Sequence, residues 1–146
     1  NENVVAMMSL ETMGYFSDKP ESQHYPFPLS LIYPSTANFL AFVGDLPSVP
    51  SMRRTVEAFR RVAKVPSYGA AAKIQSMSFS DHRSFWHVGY PGFMVTDTAF
   101  FRNDNYHEMS DVPETLDYDR LAQVMTGLVE SVKDLAGVER PAVKLR

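Results

Sequence analysis

Three polar clusters in the sequence each follow an apolar run, and together they hold the residue types that hydrolytic chemistry needs. Glu11 abuts the run Val4 to Leu10, Ser80-Asp81-His82 follows Ile74 to Phe79, and Asp97 through Asp111 follows Phe93 to Thr96. The last cluster contains Tyr106-His107 with Asp111 four residues on, which places a nitrogen donor, a phenol and a carboxylate in one loop. With no cysteine in the chain, any metal must be held by His and carboxylate, the donor set of a hydrolytic zinc. A carboxylate set directly against an apolar strand, as Glu11 is, must be paired, protonated or bound to something. Each signal also has a bland reading. A lone loop histidine is more often a surface or satisfied residue than a ligand, and Asp81-His82 also fits a helix N-cap followed by a core-facing imidazole. There is no His-Glu-x-x-His helix, no Gly-rich phosphate loop and no Gly-x-Ser-x-Gly elbow. Ser80 beside Asp81-His82 is not a triad by adjacency, because triads are built by convergence in space.

The elements that must position these residues follow from periodicity. Val4 to Leu10 is an almost continuous apolar run and predicts a fully buried strand in the middle of a parallel or mixed sheet. Ser17 to Ser35, with Pro20, Pro26, Pro28 and Pro34, predicts a long ordered loop pinned by Tyr25, Phe27 and Tyr33. Phe39 to Gly44 is a second buried strand. From Ser51, apolar residues at Met52, Val56, Phe59, Val62 and Ala63 step by three or four and predict an amphipathic helix that Val65-Pro66 ends. The arginines Arg53, Arg54, Arg60 and Arg61 on it read as a solvated face. Gly69 to Ala72 reads as a small-residue connection, Ile74 to Phe79 as a strand, His82 to Val88 as a short helix and Phe93 to Thr96 as a third buried strand. Leu121, Val124, Met125, Leu128, Val129, Val132 and Leu135 give the clearest helix, with Asp117 as N-cap and Gly137 as its stop.

Buried strands alternating with amphipathic helices predict an α/β fold, a mixed and mostly buried sheet flanked by helices, in a single domain over residues 1–146. Composition agrees: 146 residues, 45% hydrophobic and 21% charged, is the profile of one soluble globular domain. A net charge of -3 supplies no excess of clustered Lys and Arg, so nucleic acid is not an expected partner. No run approaches the ~20 apolar residues that cross a bilayer, so no membrane span is expected. Absence of Cys suits a periplasmic or secreted protein as well as a cytosolic one.

In order along the chain, Leu10-Glu11-Thr12-Met13-Gly14-Tyr15, Ser80-Asp81-His82 with Phe85-Trp86 and Gly89-Tyr90-Pro91, Thr96 through Asn103, and Tyr106-His107 with Asp111 and Thr115 through Tyr118 resemble the zinc-dependent aminopeptidase family. That family carries a co-catalytic metal pair on an α/β sheet of the phosphorylase/hydrolase kind and is related to glutaminyl cyclases and the transferrin-receptor ectodomain. The resemblance implies Glu11 and His107 as zinc ligands and Tyr106 as the phenol that assists the scissile carbonyl. It implies Asp81, His82 and Asp111 as outer groups that fix ligand orientation, and Asp97 and Arg102 as residues of the loop approaching the site.

The departure from the family is equally specific. The His-x-Asp segment whose Asp bridges the metals, and the Glu-Glu pair that supplies the general base and a further ligand, do not occur in this sequence. About two of the roughly five protein ligands of a two-metal site remain. The resemblance therefore implies a C-terminal portion of a metallopeptidase catalytic domain, truncated before the base and inactive on peptides by itself. The alternative is a non-catalytic remnant or self-associating module, in which uncovered strand edges drive homo-oligomerisation or strand exchange. Cyclisation of N-terminal glutamine by a related site is a lower-ranked third reading.

Overall fold

The computed structural model describes residues 4–25, 27–71 and 80–138. Four strands form one mixed sheet: β1 (Met7–Leu10), β2 (Leu40–Gly44), β3 (Ser67–Ala71) and β4 (Gly92–Thr96), in the order β1-β4-β2-β3. β1 runs parallel to β4 with Leu10 opposite Val95, β4 runs antiparallel to β2 with Thr96 opposite Ala41, and β2 runs parallel to β3. Helices α1 (Val49–Arg60), α2 (His82–His87) and α3 (Tyr118–Leu135) complete the α/β architecture. Among the described residues no helix is long and apolar enough to cross a membrane.

Alternation along the strands divides the core. Leu40 and Phe42 of β2, with Phe93 and Val95 of β4, meet Met52, Val56 and Phe59 of α1 and Val124 and Leu128 of α3 on one face. Phe39, Ala41 and Val43 turn to the other face with Met94 and Tyr25. β2 is therefore buried along its whole length, as its unbroken apolar pattern predicts. The two long helices approach so closely at Gly127 that a Cβ there would lie 2.3 Å from the Phe59 ring. Phe59 in turn sits edge-on to Phe42, ring centres 5.5 Å apart. Ser131 Oγ donates to Thr55 O at 3.0 Å across the same helix pair. At its outer end Asp134 accepts from Arg54 at 2.5 Å and Arg61 at 2.6 Å, and these contacts hold its carboxyl below the usual range.

Capping sets the helix limits. The Asp117 carboxylate accepts from Arg120 N at 2.9 Å to open α3. At the other end Val138 N reaches Lys133 O and Gly137 N reaches Asp134 O, with Gly137 at φ +68, which only a residue without a Cβ adopts freely. α1 begins two residues before the expected Ser51, because Asp45 Oδ1 accepts from Ser48 N at 3.0 Å and so stops the strand and starts the helix.

Two expectations about strands need correction. β1 is not a central, fully buried strand: among the described strands it has one neighbour, and Val5 and Leu10 are about half exposed. An apolar run fixes that a segment is sheet-like but not how many neighbours flank it. Gly69 to Ala71, read as part of a connection, belongs to β3, whose backbone pairs with β2 although its small side chains bury little. The strand expected over Ile74 to Phe79 lies outside the described residues.

The long loop after β1 returns on itself. Ser17 N donates to Ala37 O at 2.9 Å and Gln23 N to Ser35 O at 3.0 Å, so its feet are joined; Tyr25 packs against the sheet as expected, but Phe27 does not pin the loop and is exposed at its tip with Leu31 and Ile32.

Candidate functional site

Because β1 and β4 are parallel, the residues that follow them leave the sheet side by side. Glu11 N donates to Val95 O at 3.0 Å and Asp97 N to Thr12 O at 2.9 Å, so the backbone pairing continues one step past each strand. The third cluster joins them at the start of α2. Ser80 Oγ donates to Glu11 Oε2 at 3.1 Å. Since that uses the Ser80 proton, the 2.5 Å contact between Ser80 Oγ and Ser9 Oγ has Ser9 as donor. The result is a short relay, Ser9 to Ser80 to Glu11, that aims one carboxylate oxygen.

The loop after β4, leaving the same end of the sheet, carries Tyr106 and His107. Tyr106 is half-buried, and burial, followed by the negative charges of Glu11 and Asp97, raises its phenol above the ordinary value. The phenol is therefore a neutral hydrogen-bond donor at ordinary pH. The His107 ring is stacked on that of Tyr106, centres 3.9 Å apart and planes 18° from parallel, and His107 itself is exposed with φ +64. Phe100 and Phe101 extend the aromatic strip away from Tyr106. Thr12, Thr98 and Ala99 also have left-handed backbones, at φ +49, +78 and +48. With Glu21 of the long loop at φ +55, five such non-glycine residues lie in the loops of one sheet end, the kind of strain that surrounding contacts must hold in place.

Asp97 and Arg102 supply such contacts around Thr12, Thr98 and Ala99. The Asp97 carboxylate is 1% exposed and accepts from Thr12 Oγ1 at 2.6 Å, Ala99 N at 3.0 Å and Tyr15 N at 2.9 Å. Arg102 is equally enclosed: Nε donates to Gln23 Oε1 at 2.8 Å, Nη1 to Phe39 O at 2.9 Å, and the guanidinium lies over the Phe39 ring, 4.6 Å from its centre. Burial pushes Arg102 down to about 10, which leaves it charged at neutral pH. Both side chains are internal connectors of the approaching loop.

The outer residues divide. Asp111 accepts from Asn103 Nδ2 at 3.4 Å, and Asn103 also orders the turn by accepting from Asn105 N at 3.0 Å. Asp81 is exposed at the N-cap position of α2 without a side-chain capping bond. His82 is fully buried, its ring edge-on to Trp86 at 4.6 Å. Sequence reasoning singled out neither Ser9 as a partner of Ser80 nor Ser80 as a partner of Glu11, since serine carries no distinctive spacing.

As a metal centre the described residues do not suffice. Among them no three His, Asp or Glu side chains are grouped so as to hold an ion, and Glu11 with His107 offers two donors where zinc takes three or four. What the chain does assemble is an aimed carboxylate, a neutral phenol and an exposed imidazole on one rim of the sheet.

No family model matches the chain. Over 129 residues it is 36% identical to the uncharacterized protein YfbL of Escherichia coli (strain K12); the aligned region is 86% of this chain and 40% of that protein, so the chain spans well under half the length of the relative it matches.

Proposed function

We propose that this chain is the C-terminal part of a zinc-dependent, aminopeptidase-type catalytic domain acting on peptides, and that donors outside the described residues complete its site. The observation that carries the reading is the Ser80 hydroxyl bonded to the Glu11 carboxylate at the end of β1, beside the parallel β4 that leads into the loop carrying Tyr106 and His107. In this reading Glu11 and His107 are donors toward zinc. Ser80 sets the direction of the Glu11 carboxylate, and the neutral Tyr106 hydroxyl donates to the oxygen of the scissile carbonyl. The general base is not among these residues, so the chain alone does not turn over peptide.

The test compares this chain with a longer protein containing it, measuring zinc by mass spectrometry and release of p-nitroaniline from leucyl-p-nitroanilide. Zinc and turnover in the longer protein, both lost in Glu11→Ala and His107→Ala, are the expected result. Zinc retained undiminished by both variants would sink the assignment.

One observation favours a second reading, a self-associating non-catalytic module. β1 has an open edge among the described strands, with Val5 52% and Leu10 49% exposed. A chain that is monodisperse and monomeric in light scattering counts against it.

A further inference from the structure

We propose that Asp97 is a positioning residue that locks the loop after β1 and the loop after β4 into one unit, and thereby sets the spacing of Glu11 and Tyr106. The inference rests on reading those two residues as parts of one site. At 1% exposure the Asp97 carboxylate does not meet a ligand, so its action must pass through what it holds. On one side it holds Thr12, next to Glu11, and Tyr15. On the other it holds Ala99 N, and from there a ladder of backbone bonds runs outward: Asn103 N to Ala99 O at 3.0 Å, then Tyr106 N to Asn103 O at 3.1 Å. One carboxylate thus stands three hydrogen-bonded steps from Tyr106 and is bonded to the residue next to Glu11. It also holds two of the left-handed residues, Thr12 and Ala99, which relax if their partner is lost. All three donors need an acceptor. Thr12 Oγ1 and Ala99 N share Oδ1 while Tyr15 N uses Oδ2, so in Asp97→Asn the new NH2 group faces a backbone N–H in either orientation, that of Tyr15 or that of Ala99, and one of the two loops loses its tie.

Amide hydrogen exchange on the intact chain tests this. Asp97→Asn should speed exchange by about tenfold in both 12–15 and 99–106, while amides of α1 and α3 keep their protection. Thr12→Val, which removes only the hydroxyl donor, should speed both segments by about threefold and guards against the chance that the first variant fails to fold. Release of one segment alone in both variants overturns the proposal, as does uniform acceleration including α3 in Asp97→Asn with Thr12→Val silent. The zinc measurement is separate. Coupled release with no zinc in any form of the protein leaves the lock standing and removes the peptidase reading; zinc lost on Glu11→Ala with uncoupled loops does the reverse.

Discussion

The helix-covered face of the sheet and the rim at the ends of β1 and β4 are held together by different physics. On the face, Phe42, Phe59, Phe93, Val124 and Leu128 exclude water by shape, and the closest approach is a side-chain ring against a glycine. On the rim, Asp97 and Arg102 are as deeply buried, but they act by donating to or accepting from backbone groups of loops that have no regular partner. The face can tolerate small shifts of many contacts, whereas the rim depends on a few directed ones. Four of the five described non-glycine residues with positive φ, Thr12, Thr98, Ala99 and His107, lie on the rim, where backbone geometry is set by contacts and not by a repeating ladder.

Substitutions sharpen or break that contrast. Phe59→Ala, which removes the ring shared by α1, α3 and β2, should cost about 3–5 kcal/mol in urea unfolding without altering the exchange pattern of the rim relative to the rest. Arg102→Ala should cost about 2 kcal/mol by stranding the Phe39 carbonyl and Gln23, and Arg102→Lys should recover only part of it, because an ammonium does not reproduce the planar fork. Full recovery by lysine would mean that charge, not geometry, holds the rim. Asp117→Ala, at a helix end between the two regions, should cost about 1 kcal/mol, read from the same curves.

The smallest effect concerns pH. The Asp134 carboxyl is held below its ordinary 3.8 by hydrogen bonds from Arg54 and Arg61. A lowered folded value contributes stability that is present above the unfolded value and is lost as pH falls through the folded one. Between about pH 5 and pH 3 the parent should therefore lose more thermal stability than an Arg54→Ala, Arg61→Ala double variant. Equal loss in both would show that the exposed cluster contributes nothing.

The face was also the more legible region. Runs such as Leu40 to Gly44 and the three-and-four spacing of Leu121, Val124 and Leu128 state burial and period directly, and β2, β4, α1 and α3 follow from them. Ser67–Ala71 escaped because Gly and Ala carry almost no hydrophobic signal, although their backbone pairs fully. On the rim, residue types pointed to Glu11, Tyr106 and His107 as a candidate group, and the structure brings Glu11 and Tyr106 within each other's electrostatic reach. Their supports were opaque. That Ser80 would aim Glu11, or that Asp97 would face inward onto Thr12 and Tyr15, depends on which strand lies beside which, and short polar side chains do not encode that register.

The joined feet of the long loop have a consequence for how this sequence can vary. With Ser17 bonded to Ala37, the chain beyond them forms a ring tied off at its base, and β1 and β2 are indifferent to its circumference. The entropy of closing such a ring grows only with the logarithm of its length. Residues added at the exposed tip between Phe27 and Ile32 should therefore be tolerated, while the same addition between Ser35 and Phe39, inside the knot, should not. The tip is the natural graft point of this protein.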